Sequence, residues 1–269
     1  MLFWGLRLVA EDRVNYGGLS MTNSGPDSGV QKPRGSQFFL ANTQAVARAF
    51  DGCGEVVTLR PQQRLPRATI QNGGLFAIRE GLLALDVIPP GGHRQILDFL
   101  MPGDVVPAPG FVFPQSFSIR AITPSIVMCR PGNGASAWPT GEVHIDLFLA
   151  QCYSQLARRN IHQIMIGQLD TESRVASFLL SLAMRRGESL GATHMLELPM
   201  SRDDIADYLA INHDTLSRMM MRFETLGLVR RINRHAVHLT DIEGLGRHTP
   251  IGPLLLAVFA RPACAPTPS

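Results

Sequence analysis

The run from Ser201 to Phe223, SRDDIADYLAINHDTLSRMMMRF, gathers residue types that can read hydrogen-bonding groups on the edges of nucleic-acid bases. An arginine fork can bond O6 and N7 of guanine together. A carboxylate can accept from the amino group of cytosine, and a serine hydroxyl can meet a base or a phosphate. Each good pair discriminates against a wrong base by roughly 1–3 kcal/mol. Spacing decides whether these groups act together. Asn212 is a good N-cap, and a helix starting after it carries His213, Asp214, Ser217 and Arg218 on its first two turns, away from Leu216. Arg222, one turn beyond Arg218, is placed for a phosphate. Met219, Met220, Met221 and Phe223 are expected to carry the helix back into a core.

A reading helix needs a support. Ser201 predicts an N-cap for a helix starting at Arg202, with Asp204 as a short capping-box acid and Asp203 beside the positive helix end. Ile205, Ala206 and Leu209 recur on one buried face, and Asp203, Asp204 and Asp207 are expected to face water. Ala206 is small where two helices approach, and Ala210 stands at the turn, where glycine is commoner. The run LGLVRRINRHAVHLTD then predicts two short strands, Leu228 to Ile232 and Ala236 to Leu239, with a turn around Asn233 and Arg234. That hairpin is the wing of a winged helix-turn-helix. Ser201, Asn212, His213, Asp214, Ser217, Arg218 and Arg222 are the candidate DNA contacts.

On these residues the stretch resembles the DNA-binding domain of the Crp/Fnr superfamily of bacterial transcription regulators, and HDTLSR at His213 to Arg218 resembles its Fnr and FixK branch. That branch usually shows a glutamate, two residues, then serine and arginine. Here Asp214, one methylene shorter, takes the glutamate place, while Ser217 and Arg218 match. The resemblance implies that Arg218 binds the guanine of a TTGA-type half-site, Ser217 a neighbouring thymine, and that Asp214 accepts from bases opposite. His213, where the branch often has a small apolar residue, is expected against a thymine methyl or a phosphate. The pattern GLFAIREGLLALDVIPPGGHRQILDFLMPGD resembles the FixK-like sensor β-roll, including Gly81 and the Pro102-Gly103-Asp104 turn. It covers about Gln37 to His248. It implies a cytoplasmic homodimer on double-stranded DNA, acting mainly as an activator with RNA polymerase as partner, in a low-oxygen or nitrogen-oxide response.

The elements that must position the reading helix can be argued separately. The expected fold class is α+β: an N-terminal antiparallel β-roll of the cyclic-nucleotide-binding kind, a long dimerisation helix and a C-terminal winged helix-turn-helix. The expected division is a disordered extension 1–36, a roll 37–140, the dimer helix 141–169, the winged domain 170–248 and a tail 249–269. Short apolar runs such as EVVTLR, RQILDFL, SFSIRAI and SIVMCR, punctuated by glycine and proline, predict the roll, with Pro89-Pro90-Gly91-Gly92 as a hairpin turn. In GEVHIDLFLAQCYSQLARRNIHQIMIGQL, the residues Ile145, Leu149, Cys152 and Leu156 make a coiled-coil-like stripe, continued by Ile161, Ile164 and Met165. Such a stripe suits either a two-fold partner or the helix's own roll. In a dimer the two reading helices would lie about one DNA turn apart, roughly 34 Å, and demand a palindromic site. Cys152 would then lie near the axis, where a redox response stays open. TESRVASFLLSLAMRRG predicts the first helix of the winged domain, and Met195 to Leu198 a strand leading into Ser201.

Effector chemistry is read mainly by elimination. Between Val105 and Ala121 there is no acid to hold a ribose, and Gln115-Ser116 stands where cyclic-nucleotide receptors have Arg-Ser, so no cyclic nucleotide is expected. Arg120 is expected as an outward strand residue. Cys53, Cys129, Cys152 and Cys264 are scattered with no C-x-x-C spacing, which argues against an iron–sulfur cluster or a zinc site and for no metal. No cofactor is expected, although one axial ligand such as His93 or His144 would suffice for haem, which leaves a haem- or small-molecule-gated regulator as the alternative. A cupin-like enzyme needs two or three histidines, and the roll has only His93.

The net charge is only +3, with 25 basic residues of which Lys32 alone is lysine. From Asn212 to Arg234, however, five arginines face only Asp214 and Glu224. Binding to DNA should therefore be local in charge and salt-sensitive. The opening MLFWGLRLVA is too short, and too interrupted by Arg7, to span a membrane.

Overall fold

The computed structural model describes residues 50, 55–71, 74–88, 92–107, 117–131, 142–185, 194–252 and 255, and within 142–154 the side chains of 152 and 153 only. The expected extension 1–36, the turn at 89–91, Cys53, Cys264, most of the tail and the side chains of Ile145 and Leu149 lie outside that set.

Seven strands form the roll: β1 (Glu55–Leu59), β2 (Gly74–Glu80), β3 (Leu83–Val87), β4 (Gln95–Leu100), β5 (Val105–Pro107), β6 (Phe117–Ala121) and β7 (Ser125–Pro131), with a short helix α1 (Arg67–Gln71) after β1. They pair antiparallel in two sheets, ordered β1-β7-β2-β5 and β4-β3-β6. Alternation along each strand explains the layering. Leu83 and Leu85 of β3, Ile119 and Ala121 of β6, and Phe76, Ile78 and Val127 from the other sheet close one core between the sheets. Ala84, on the opposite face of β3, belongs with Ile96 and Phe99 to a second core shared with the helices. The three-stranded sheet is thus covered on both sides. That is why LALDV is buried along nearly its whole length instead of alternating with solvent.

The helices follow in sequence. α2 (Glu142–Gln168) is 27 residues long, roughly 40 Å at the α-helical rise. It sends Ile161 and Met165 into the shared core. α3 (Thr171–Arg185) buries Val175, Phe178, Leu179 and Leu182. β8 (His194–Glu197) leads to α4 (Arg202–Leu209) and α5 (His213–Thr225), then to β9 (Val229–Asn233), β10 (Ala236–Leu239) and α6 (Ile242–Arg247). The last three strands form a sheet ordered β8-β10-β9. Asn233 Oδ1 accepts from the His235 amide at 2.7 Å, which sets the wing turn. Of the tail, Leu255 is buried in the shared core. No described helix is long and apolar enough to cross a membrane.

Acidic groups at the roll surface bind these parts together. Asp98 of β4 pairs with Arg159 of α2 (3.2 Å) and Arg185 of α3 (3.5 Å). Asp104, in the expected Pro-Gly-Asp turn, pairs with Arg158 and Arg185, both at 2.7 Å, and accepts from the Met101 amide. Roll, long helix and winged domain therefore share one set of buried charges. Gly81 makes the tight β2–β3 turn with φ +87°. An added Cβ would collide with Ser125 and the Pro124 carbonyl. Gly81→Ala should cost about 2–4 kcal/mol from the left-handed backbone plus the overpacking, read as a lower denaturant midpoint at unchanged slope.

Candidate nucleic-acid interface

The two helices of the predicted reading element start where their caps require. Ser201 Oγ accepts from the Asp204 amide at 3.0 Å, and the Asp204 carboxylate reaches back to the Ser201 amide, so the capping box is complete. Asn212 Oδ1 accepts from the Thr215 amide at 2.7 Å and starts α5 at His213. Between them Ala210 adopts φ 52°, ψ 46°, the left-handed conformation in which glycine is at home. Arg174 of α3 donates to the carbonyls of Leu209 and Ala210, both at 3.3 Å, and so satisfies the frayed end of α4.

On α5 the side chains divide sharply. Leu216, Met220 and Phe223 are buried in the shared core. Asn212, His213, Asp214 and Arg218 are exposed, with Ser217 half-buried beside them. The Asp214 side chain is 92% exposed and lies 3.8 Å from His213 Nδ1, so its carboxylate is open to a base. Arg218 donates to Thr215 Oγ1 at 3.0 Å, which holds the guanidinium along the helix surface. Met221 departs from expectation: it is 60% exposed. At 3.6 residues per turn it falls on the side opposite Phe223, and none of the described elements covers it.

Arg222 is also exposed, but it is engaged by Glu172 of α3 at 3.0 Å. His248 bonds the other oxygen of the same carboxylate at 2.6 Å. Any phosphate contact by Arg222 competes with that pair. Beside α5, Arg230, Arg231 and Arg234 of the wing are exposed. Arg231 pairs with Glu224 at 3.3 Å, and Arg230 meets His238 Nδ1 at 3.3 Å.

Of the acids of α4, Asp203 faces water as expected, but Asp204 and Asp207 are engaged by the roll. Asp204 does not face water. It is buried, and its Oδ1 accepts from Arg120 of β6 at 2.7 Å and from Arg94, just before β4, at 3.0 Å. Asp207 pairs with the same Arg94 at 2.6 Å, and Gln95 donates to its backbone carbonyl at 2.6 Å. Arg120 does point out of the roll's own core, as alternation with Ile119 and Ala121 requires. The winged domain covers that face, so Arg120 is buried between Asp204 and Asp86. Nothing local announces these partners, which lie 84 to 113 residues away in the chain.

Burial and pairing set the carboxyl groups in opposite directions. Burial pushes Asp98 up, but Arg185, Arg159 and Arg158 together hold it below the usual carboxylate range. Asp204 is likewise pushed up by burial and then held low by Arg120, by its capping bond to Ser201 and by Arg94. Asp86 shares Arg120 yet ends above its ordinary value, because burial outweighs the attraction of Arg120, Arg94 and Arg64.

Cys152 lies half-buried against Phe50, Ala77, Val105 and Met128 of its own roll, while Leu156, Tyr153 and Ile164 are exposed. Burial raises the Cys152 thiol, and raises that of Cys129 to about 12, so neither is a ready thiolate at neutral pH. His162 of α2 is buried and stacks on Tyr208 of α4 with ring centroids 3.9 Å apart. Its Nε2–H donates to the Tyr208 carbonyl at 2.6 Å, and burial lowers its pKa. His93 is exposed. Among the described residues no three His, Cys, Asp or Glu side chains are grouped as a metal would need.

A capped helix pair, a basic wing and a roll with a long helix define the build of a DNA-binding transcription regulator. Residues 173–248 match the family model described as a Crp-like helix-turn-helix domain. The chain is 30% identical over 185 residues to the nitrogen fixation regulation protein FixK of Azorhizobium caulinodans, covering 64% of this chain and 70% of that protein. It is 26% identical over 211 residues to the transcriptional activatory protein AadR of Rhodopseudomonas palustris, covering 71% and 86%. The solved structure of FixK2 from Bradyrhizobium japonicum superposes with a TM-score of 0.60 at 23% identity, over 73% of this chain and 97% of that one. The chain belongs to the Crp/Fnr family of DNA-binding transcription regulators, in its FixK-like branch.

Two predictions come from this geometry. Ala210→Gly removes a left-handed alanine and should raise stability by about 0.5–1 kcal/mol, the gain being limited by the freer unfolded chain, and a thermal or urea midpoint reads it. Acid unfolding has a defined sign. Asp98 and Asp204 contribute stability that is complete above the ordinary carboxylate value, about 3.9, and is lost as the pH falls through their lower folded values. Asp86 works oppositely, its charge costing stability at neutral pH and its protonation relieving that cost. With two groups against one, the unfolding temperature should drop below about pH 4, and Asp98→Asn should start lower but fall less steeply.

Proposed function

We propose that the chain is a homodimeric FixK-type regulator that binds a palindromic TTGA-type site and acts mainly as an activator, working in the cytoplasm without a cyclic nucleotide or an iron–sulfur cluster. One observation carries this reading. Asp214, Ser217 and Arg218 stand at the uncovered start of a capped helix whose other side is sealed in the core. Arg218 takes the guanine of the half-site, Ser217 a neighbouring thymine, and Asp214 accepts from a base opposite. His213, Asn212 and Ser201, all exposed, meet phosphates, and the wing arginines add to that contact.

Tyr153, Leu156 and Ile164 support the dimer, since with Asn160 between the last two they make an exposed stripe on α2 with gaps of three, four and four. Two-fold pairing would cover it, with Leu156 in the seam and Cys152 turned toward the roll; Ile145 and Leu149 would extend it along α2. An effector-free roll is supported by Arg120, whose guanidinium is already taken up by Asp86 and Asp204. The likeness to AadR, a transcriptional activatory protein, supports the activator role, in which the roll surface meets RNA polymerase. A low-oxygen response is what the family resemblance implies.

Binding of Arg218→Ala to a duplex with two inverted TTGAT half-sites, compared with duplexes changed at the guanine, tests the assignment. The variant should lose roughly 1–3 kcal/mol of discrimination at that position while its affinity for scrambled DNA falls little. Equal losses on specific and scrambled DNA would sink the role given to Arg218.

A further inference from the structure

The reading helix is held by the helix before it, and that helix is gripped by the roll. On the side of α4 away from the reading face, Arg94, Gln95 and Arg120 of the roll meet Asp204 and Asp207. We infer that Arg94, Gln95 and Arg120 are positioning residues for DNA recognition, a clasp within the chain that orients the helix-turn-helix with its reading face outward, in the place where a bound effector would otherwise have to act. This rests on the reading under Proposed function.

Three features carry it. First, the grip falls on both ends of α4. Asp204 completes the capping box at the start of the helix while its Oδ1 takes both guanidinium groups. Gln95 occupies the carbonyl of Asp207, one of the last four in the helix, which have no partner within the helix itself. Second, the lever to the reading helix is short, because only Ala210, Ile211 and Asn212 separate α4 from α5. The Ile211 amide also bonds back to Ala206 at 3.1 Å, so the turn transmits a tilt of α4 rather than absorbing it. Third, partial sliding of α4 is disfavoured, because it would draw the buried Asp204 carboxylate away from Arg120 and Arg94 before water could replace them. In the clasped state Asp214 and Arg218 are exposed, so clasping pre-organises the form that reads DNA.

Arg94 and Asp207 are both partly exposed, at 28% and 33% of their side chains, so a reversed pair can form between them, while Asp204 keeps Arg120 but loses Arg94. Full-length wild type, Arg94→Glu and the double variant Arg94→Glu/Asp207→Arg would be titrated with the inverted TTGAT duplex over a salt series, with unfolding temperatures recorded alongside. Arg94→Glu should bind about ten-fold more weakly, within the range usual for coupling between separate sites, and the double variant, which rebuilds the pair with position 207 but not the one with Asp204, should recover part of that loss. The slope of affinity against salt should not change, because Arg94 neutralises no phosphate. Wild-type affinity in Arg94→Glu, or tighter binding, would overturn the clasp. So would a salt slope shallower by about one, which marks a direct phosphate contact. If wild type itself fails to select the duplex, the Proposed function fails instead. The clasp is then decided by amide exchange in α4 and α5: faster exchange in Arg94→Glu and its reversal in the double variant support it, and unchanged exchange overturns it.

Discussion

Everything in this fold hangs on a few carboxylates that cannot reach water. Asp98, Asp104 and Asp204 are each buried, and a buried carboxylate is tolerated only when cations and hydrogen bonds surround it. Their cations come from elsewhere in the chain: Arg158 and Arg159 from the long helix, Arg185 from the first winged-domain helix, Arg94 and Arg120 from the roll. The roll, the long helix and the winged domain can therefore stack with their charges matched in one arrangement. Such pairs add little to net stability, since desolvation offsets most of their attraction. Their worth lies in excluding other arrangements, because a misplaced domain strands a charge.

The reading element shows how local and remote forces divide the work. Ser201 and Asn212 start the two helices through bonds that span three residues, and these would form in any context. Tilt and position are decided from outside. Arg174 closes the end of α4, Arg94 and Arg120 hold its start, and His162 stacks on Tyr208 from the long helix. A left-handed Ala210 is tolerated because so many contacts on either side over-determine the turn.

The charge on the DNA side is sparse and specific. Arg218 is the cation proposed to read a base, whereas Arg222 and Arg231 are each balanced by a glutamate, Glu172 and Glu224. An arginine paired on the free protein gives up that partner when it meets a phosphate. This lowers sequence-independent affinity relative to an unpaired basic surface and leaves a larger share of recognition to base contacts.

The sequence by itself determined whatever depends on neighbours within a few residues. The caps at Ser201 and Asn212, the wing turn at Asn233, the short apolar runs of the roll and the outward placement of Asp214 and Arg218 on the second helix were all legible, because helix and strand periods place those groups without reference to the rest of the chain. The tertiary structure alone decided what covers each outward face. Alternation along β6 correctly turned Arg120 away from the roll's core, and helical period correctly turned Asp204 away from Ile205 and Leu209. Both sides were then read as wet. They are in fact one dry contact, because the two surfaces meet each other. Met221 is the converse case, an apolar side chain read as core that none of the described elements covers. Period tells which way a side chain points. Only packing between elements distant in sequence tells whether water, an apolar neighbour or an opposite charge lies there.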